Sequence, residues 1–83
     1  MNAQEMFEKL GYKLKQNSHF QVEYAKENKA RGEFITFSNY SGKYYVYTYG
    51  CDWEYDEDLS VNLDKPLLEA MLKQLEELEN GKL

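Results

Sequence analysis

Read for alternation, the chain is dominated by residues 44–49, Tyr44-Tyr45-Val46-Tyr47-Thr48-Tyr49, closed by Gly50. Four tyrosines, a valine and a threonine are strong strand formers. Period two places Tyr45, Tyr47 and Tyr49 on one face and Tyr44, Val46 and Thr48 on the other. Two further runs alternate in the same way. In the first, beginning at His19, Phe20, Val22 and Tyr24 oppose His19, Gln21, Glu23 and Ala25; in residues 33–38, Ile35 and Phe37 oppose Phe34 and Thr36. Residues 26–32 form a polar hairpin loop, and residues 39–42, Asn-Tyr-Ser-Gly, a tight turn. Residues 12–15 alternate only weakly. Residues 59–63 alternate again and predict a short fourth strand beside the third.

The period changes to 3.6 at both ends. Asn2 with Glu5 makes a capping box, Ala3, Met6, Phe7 and Leu10 share one helical face, and Gly11 is the expected stop. Near the C-terminus Asp64 is the expected N-cap and Pro66 fits the first turn. Leu68, Met71, Leu72, Leu75 and Leu78 make an apolar stripe that runs to about Glu79, before Asn80 and Gly81. The expected fold is α+β, in the order α-β-β-β-(β)-α. It is an antiparallel meander of three to four strands with the N-terminal and C-terminal helices on one face, a single domain over residues 1–83.

Composition supports a folded chain. Of 83 residues, 42% are hydrophobic and 16% aromatic, and large rings supply enough buried area for a small core. Cys51 is the only cysteine, which excludes an internal disulfide and a cysteine-based zinc site and predicts a reducing, cytoplasmic setting. No basic-then-apolar leader opens the sequence, and no apolar run approaches the ~20 residues of a membrane span.

Charge changes the picture of the two halves. Residues 1–43 carry seven Lys/Arg against five Asp/Glu, whereas residues 44–83 carry three against ten. An acidic half works against direct nucleic-acid binding and favours a basic protein as partner. Residues 50–58 read as an acidic and aromatic loop. Asp52, Glu54 and Asp56 have the spacing that opens a calcium loop, but Glu57 stands where that loop needs glycine and Leu63 where it needs a bidentate glutamate. The competing readings of the run are a solvated loop, weak divalent-cation or small-ligand binding, and a partner-facing patch. His19 is the only histidine. A His19–Cys51 hydrolase is disfavoured because carboxylates around Cys51 would raise its thiol pKa.

No catalytic residue, cofactor or metal site is assigned, and the chain is read as non-enzymatic. The surface expected to meet a protein partner comprises Tyr45, Tyr47, Tyr49, Asp52, Trp53, Glu54, Tyr55, Asp56, Glu57 and Asp58, because tyrosine and tryptophan offer large contact area at low entropic cost. Homodimerisation through the sheet face is a variant of that reading. The plain alternative is that the rings only fill two sides of a small sheet.

The opening Met1 to Leu14 (MNAQEMFEKLGYKL), the tyrosine-rich strand and the closing leucine helix resemble small proteins encoded in phages and prophages of Gram-positive bacteria. The resemblance implies a phage or prophage setting and an accessory or anti-host role, such as inhibition of a host factor. It implies no active-site residue.

Overall fold

The computed structural model describes residues 1–81. Helix α1 spans Ala3–Lys9, and five strands follow: β1 Lys13–Asn17, β2 Gln21–Glu27, β3 Arg31–Tyr40, β4 Lys43–Asp52 and β5 Glu57–Leu59. Helix α2, Lys65–Glu79, closes the order. The strands form one antiparallel sheet in sequence order, β1-β2-β3-β4-β5. The fold is α+β as expected, and the meander carries five strands.

Helix α1 starts where its capping box predicts. Asn2 Oδ1 accepts from the Glu5 N–H at 2.8 Å, and Glu5 Oε1 accepts from the Asn2 N–H at 3.0 Å. A third N-terminal donor, the Ala3 N–H, reaches Glu77 Oε2 of α2 at 2.9 Å. That carboxylate satisfies an orphan backbone group and faces the positive helix end. Gly11, at φ 92°, takes the left-handed conformation that turns the chain into β1.

Side-chain acceptors set three of the four tight connections. Ser18 Oγ accepts from the Phe20 and Gln21 N–H groups. Asn28 Oδ1 accepts from those of Ala30 and Arg31, and Asp52 Oδ1 from those of Glu54 and Tyr55. Each is a short polar side chain mimicking a backbone turn. The fourth, Ser41-Gly42 with φ 55° and 81°, has the double positive φ of a two-residue type I′ hairpin.

These turns correct several expected boundaries. Ser18 folds His19 and Phe20 into a turn, so β2 begins at Gln21 and Phe20 is 71% exposed. Residues 13–17 form a strand despite their polarity, because this edge strand pairs with β2 and needs only Leu14 to reach the core while its other side chains meet solvent. The acidic run is no loop: Gly50, Cys51 and Asp52 continue β4, and Glu57, Asp58 and Leu59 return as β5. The fourth strand therefore ends at Leu59 where it was expected to begin, and residues 60–64 have no regular structure.

Both helices cover one face of the sheet. Phe7, Tyr24, Ile35 and Phe37 are its most buried large side chains. Phe7 stacks on Tyr24 at 4.0 Å between centroids and meets Phe37 edge-on. From α2, Leu67, Ala70, Gln74 and Leu78 are buried, while Leu68 and Leu72 of the expected stripe are exposed and Met71 and Leu75 lie at its margin. The helix is rotated to bring Gln74 over the sheet, where its side-chain oxygen accepts from the buried Tyr24 hydroxyl at 2.6 Å. Leucine surrounds enough of α2 that periodicity alone did not select this face.

Candidate functional site: the aromatic outer face

The face turned away from the helices is built by alternation. Along β4, Tyr45, Tyr47 and Tyr49 project there, and their cross-strand partners on β3 are Ser38, Thr36 and Phe34. Exposures of 42%, 56% and 49% show that no described element covers the three tyrosines. Phe34 lies 6.0 Å from Tyr49, stacked, and 6.2 Å from Trp53, edge-on. Tyr40 meets Tyr45 at the opposite end. The rings thus form a band along the strand, with Trp53 at one end and Tyr40 at the other.

Gly32 seats the tryptophan. A β-carbon there would stand 2.5 Å from Trp53 Cζ2 and 2.9 Å from Phe34 Cε2, so only glycine lets the indole lie against β3. The Trp53 N–H also donates to the Ala30 carbonyl at 2.9 Å, fixing its backbone as a continuation of the ladder. Sequence reading missed Phe34 and Gly32 as parts of this surface. Phe34 was legible from its parity with Glu23 and Tyr49; Gly32 was not, because its role depends on a contact twenty-one residues away.

The acidic residues are divided between environments. Cys51 pairs with Asp58, and this pair continues the tyrosine face. The Tyr49 phenol is pushed above its ordinary pKa chiefly by the neighbouring Cys51 thiol, with a smaller contribution from the Asp58 carboxylate. Asp52 pairs with Glu57 on the opposite parity, and its carboxylate is engaged by the turn backbone. Glu54, Tyr55 and Asp56 form the exposed turn between β4 and β5, with Asp56 in the left-handed region at φ 52°. Of the five expected acidic contacts, Asp58 alone belongs to the aromatic face proper.

Among the described residues no group of three or more His, Cys, Asp or Glu side chains is placed to hold a metal ion. The calcium-like spacing is broken because Asp52 lies in a strand and its carboxylate caps a turn. His19 and Cys51 occupy opposite ends of the sheet. The Asn39 N–H donates to the Phe20 carbonyl next to His19, while Cys51 pairs with Gly32, and the intervening length of β3 sets them roughly 20 Å apart. Direct proton transfer between them is excluded at that separation. No described helix is long and apolar enough to cross a membrane.

On the helix side, a cleft of about 210 Å³ is lined by Leu10, Tyr12, Lys26, Glu33, Asn62, Asp64 and Leu67. The Tyr12 hydroxyl donates to Glu33 Oε1 at 3.3 Å and the Lys26 ammonium lies 5.6 Å from the Tyr12 ring centre. Burial, followed by the Glu33 charge, holds the Tyr12 phenol well above its ordinary pKa. Among the described residues no buried side-chain polar atom lacks a hydrogen-bond partner, so the cleft holds no orphaned group.

Comparison of the chain with protein-family models, curated proteins and solved structures finds no match.

Proposed function

We propose that this protein is a non-enzymatic binding protein that engages a protein partner through the aromatic outer face of its sheet. The observation that carries the proposal is the row of Tyr45, Tyr47 and Tyr49, each more than two-fifths exposed, continued by Trp53. Monomeric proteins rarely leave a contiguous aromatic surface uncovered without a use for it. Tyrosine and tryptophan are also the side chains that carry most binding energy at interfaces.

Asp58 beside Tyr49, with Glu54 and Asp56 on the adjoining turn, gives the face an acidic margin. That margin suits a basic protein and repels a phosphate backbone. With the phage-like character of the sequence, this favours a cytoplasmic host protein as target and inhibition as the outcome. A divalent-cation or small-ligand role for residues 52–58 is the second reading; no observation of the site geometry favours it over the first.

The test is capture of partners from a Gram-positive host lysate, followed by reconstitution with the purified partner. Tyr47→Thr combined with Tyr49→Thr is expected to abolish the complex while leaving the fold intact. Reversal of Asp56, Glu57 and Asp58 to lysine is expected to weaken it and flatten its salt dependence. Retention of full affinity by the tyrosine double variant would remove the proposal. Calorimetry with Ca²⁺ and Mg²⁺ distinguishes the second reading, which requires saturable heat.

A further inference from the structure

The aromatic band of the outer face is electrically uneven along its length. At its Tyr45 end stands Lys43, which pairs with Tyr40 across the two-residue turn and shares the parity of the tyrosines. At its Tyr49 end the register fixes a different row. Glu27 of β2, Gly32 of β3, Cys51 of β4 and Asp58 of β5 lie side by side across the sheet. Cross-strand partners share a face, so both carboxylates of that row project on the side of the tyrosines. One end of the band therefore repels a cation and the other attracts one.

Ring area is available where those carboxylates stand. Trp53 lies against Gly32, within the row, and remains 43% exposed; Tyr49, one step along β4, is 49% exposed. Phe34 packs on both rings, and the Trp53 backbone is tied to Ala30. Both rings are thus positioned before any ligand arrives, which lowers the ordering cost of binding to them.

The two carboxylates are not equivalent. Among the described residues the one ion pair joins Lys15 to Glu27 at 3.1 Å, so Glu27 is already matched. Asp58 is exposed and has no such partner among them. Lys13, the other cation of β1, pairs with Ala25 and stands three strands from Tyr49, about 14 Å across the sheet. The Asp58 carboxylate does reach the Tyr49 phenol, whose pKa it raises after the larger effect of the Cys51 thiol. An exposed negative charge thus adjoins two exposed rings, without a described cation to neutralise it.

We propose that this end of the face is a subsite for an arginine side chain of the protein partner. The guanidinium stacks on the Trp53 and Tyr49 rings, and its N–H groups donate to Asp58. Arginine fits better than lysine for a geometric reason. Its planar, weakly hydrated head can lie flat on a ring while its N–H edge points sideways to a carboxylate. An ammonium is a compact and strongly hydrated charge, and loses more water in approaching the same rings. Glu54 and Asp56 on the adjoining turn add a longer-range field that draws in a basic segment. The inference rests on the proposed partner-binding role of the outer face and adds to it the side chain that the partner presents there.

Trp53 is the only tryptophan, so its fluorescence reports on the subsite directly. The probe is the peptide acetyl-Arg-Gly-Arg-amide, titrated into the full chain at low ionic strength. A saturable change in Trp53 emission is expected, with a dissociation constant of about 1–5 mM. The same peptide with citrulline for arginine keeps the shape without the charge, and should bind about tenfold more weakly or worse; the lysine peptide should bind about threefold more weakly. Asp58→Asn alters only an exposed side chain and should weaken the arginine peptide about threefold to fivefold. No saturable response up to about 20 mM peptide would overturn the inference. So would equal binding of the citrulline or lysine peptide, or an Asp58→Asn variant that binds as the parent does. None of these outcomes requires an isolated partner, so each leaves the partner-binding reading standing. That reading falls instead when the Tyr47→Thr and Tyr49→Thr double variant keeps full affinity for a captured partner.

Discussion

The two faces of this sheet use the same residue types for opposite ends. On the covered face, Tyr24 is 2% exposed, stacked on Phe7 and hydrogen-bonded to Gln74. On the other, Tyr47 is 56% exposed, its ring and hydroxyl open to water. Tyrosine can serve in both places because its ring is apolar and its hydroxyl requires a partner only when water is withdrawn. The covered face is where stability resides, and the open face is where contact area remains available. Changes on the two should therefore separate folding from binding.

The largest separation is expected from Phe7→Ala. It removes the ring that stacks on Tyr24 and meets Phe37, and should cost about 3–5 kcal/mol by urea unfolding, enough to unfold much of so small a chain. If Phe7→Ala instead left the unfolding midpoint within the range of surface variants, the centre of the core would be misplaced.

Alkaline pH probes the same face without mutation. Burial, then the charges of Glu77 and Glu8, raise the Tyr24 phenol from 10.0 to about 12. Between those values the unfolded chain loses its proton first, so stability is whole below about pH 10 and falls as pH rises towards 12. The loss should be roughly 2–3 kcal/mol, followed by thermal unfolding across that window, and Tyr12 adds to it in the same direction. Tyr24→Phe should flatten the decline.

That variant has its own, smaller cost at neutral pH. Removing the hydroxyl leaves the Gln74 oxygen buried without its donor, an effect of about 1–3 kcal/mol. Tyr24→Phe with Gln74→Leu should recover part of it, and a double-mutant cycle showing no coupling would mean the bond contributes nothing specific.

The smallest effect on stability belongs to the open face. Tyr47→Thr keeps strand propensity and uncovers nothing, so its unfolding free energy should stay within about 0.5–1 kcal/mol of the parent. Its effect should appear only in partner affinity. A loss comparable to that of Phe7→Ala would show that the outer face is a second core and not a recognition surface.

Much of this comparison was readable before the fold. The capping box of α1, the Asp64 cap of α2, the parity of Ile35 and Phe37 against Phe34, and the positive-φ turn at Gly42 all depend on neighbours within a few residues. The polar strand β1 was not readable, since it carries one apolar residue that reaches the core, Leu14, and is otherwise held by its pairing with β2. Nor was the hairpin hidden in residues 50–59, because Asp52 behaves as a turn acceptor only once Glu57 and Asp58 return along β4. The aromatic members of the expected partner surface stay together for the same reason that its acidic members part: alternation carries the tyrosines to one face, and a four-residue turn divides the carboxylates.

Local patterning in the sequence determined the two helices, the central strands and the existence of two aromatic faces, because periodicity and capping are short-range properties. Which face the helices would cover, which side of a leucine-rich α2 would turn inward, and where β4 would be left unpaired were decided only in three dimensions. Those outcomes rest on packing and on single long-range contacts, among them Tyr24 with Gln74, Trp53 against Gly32 and Ala3 with Glu77, each joining residues between 21 and 74 positions apart.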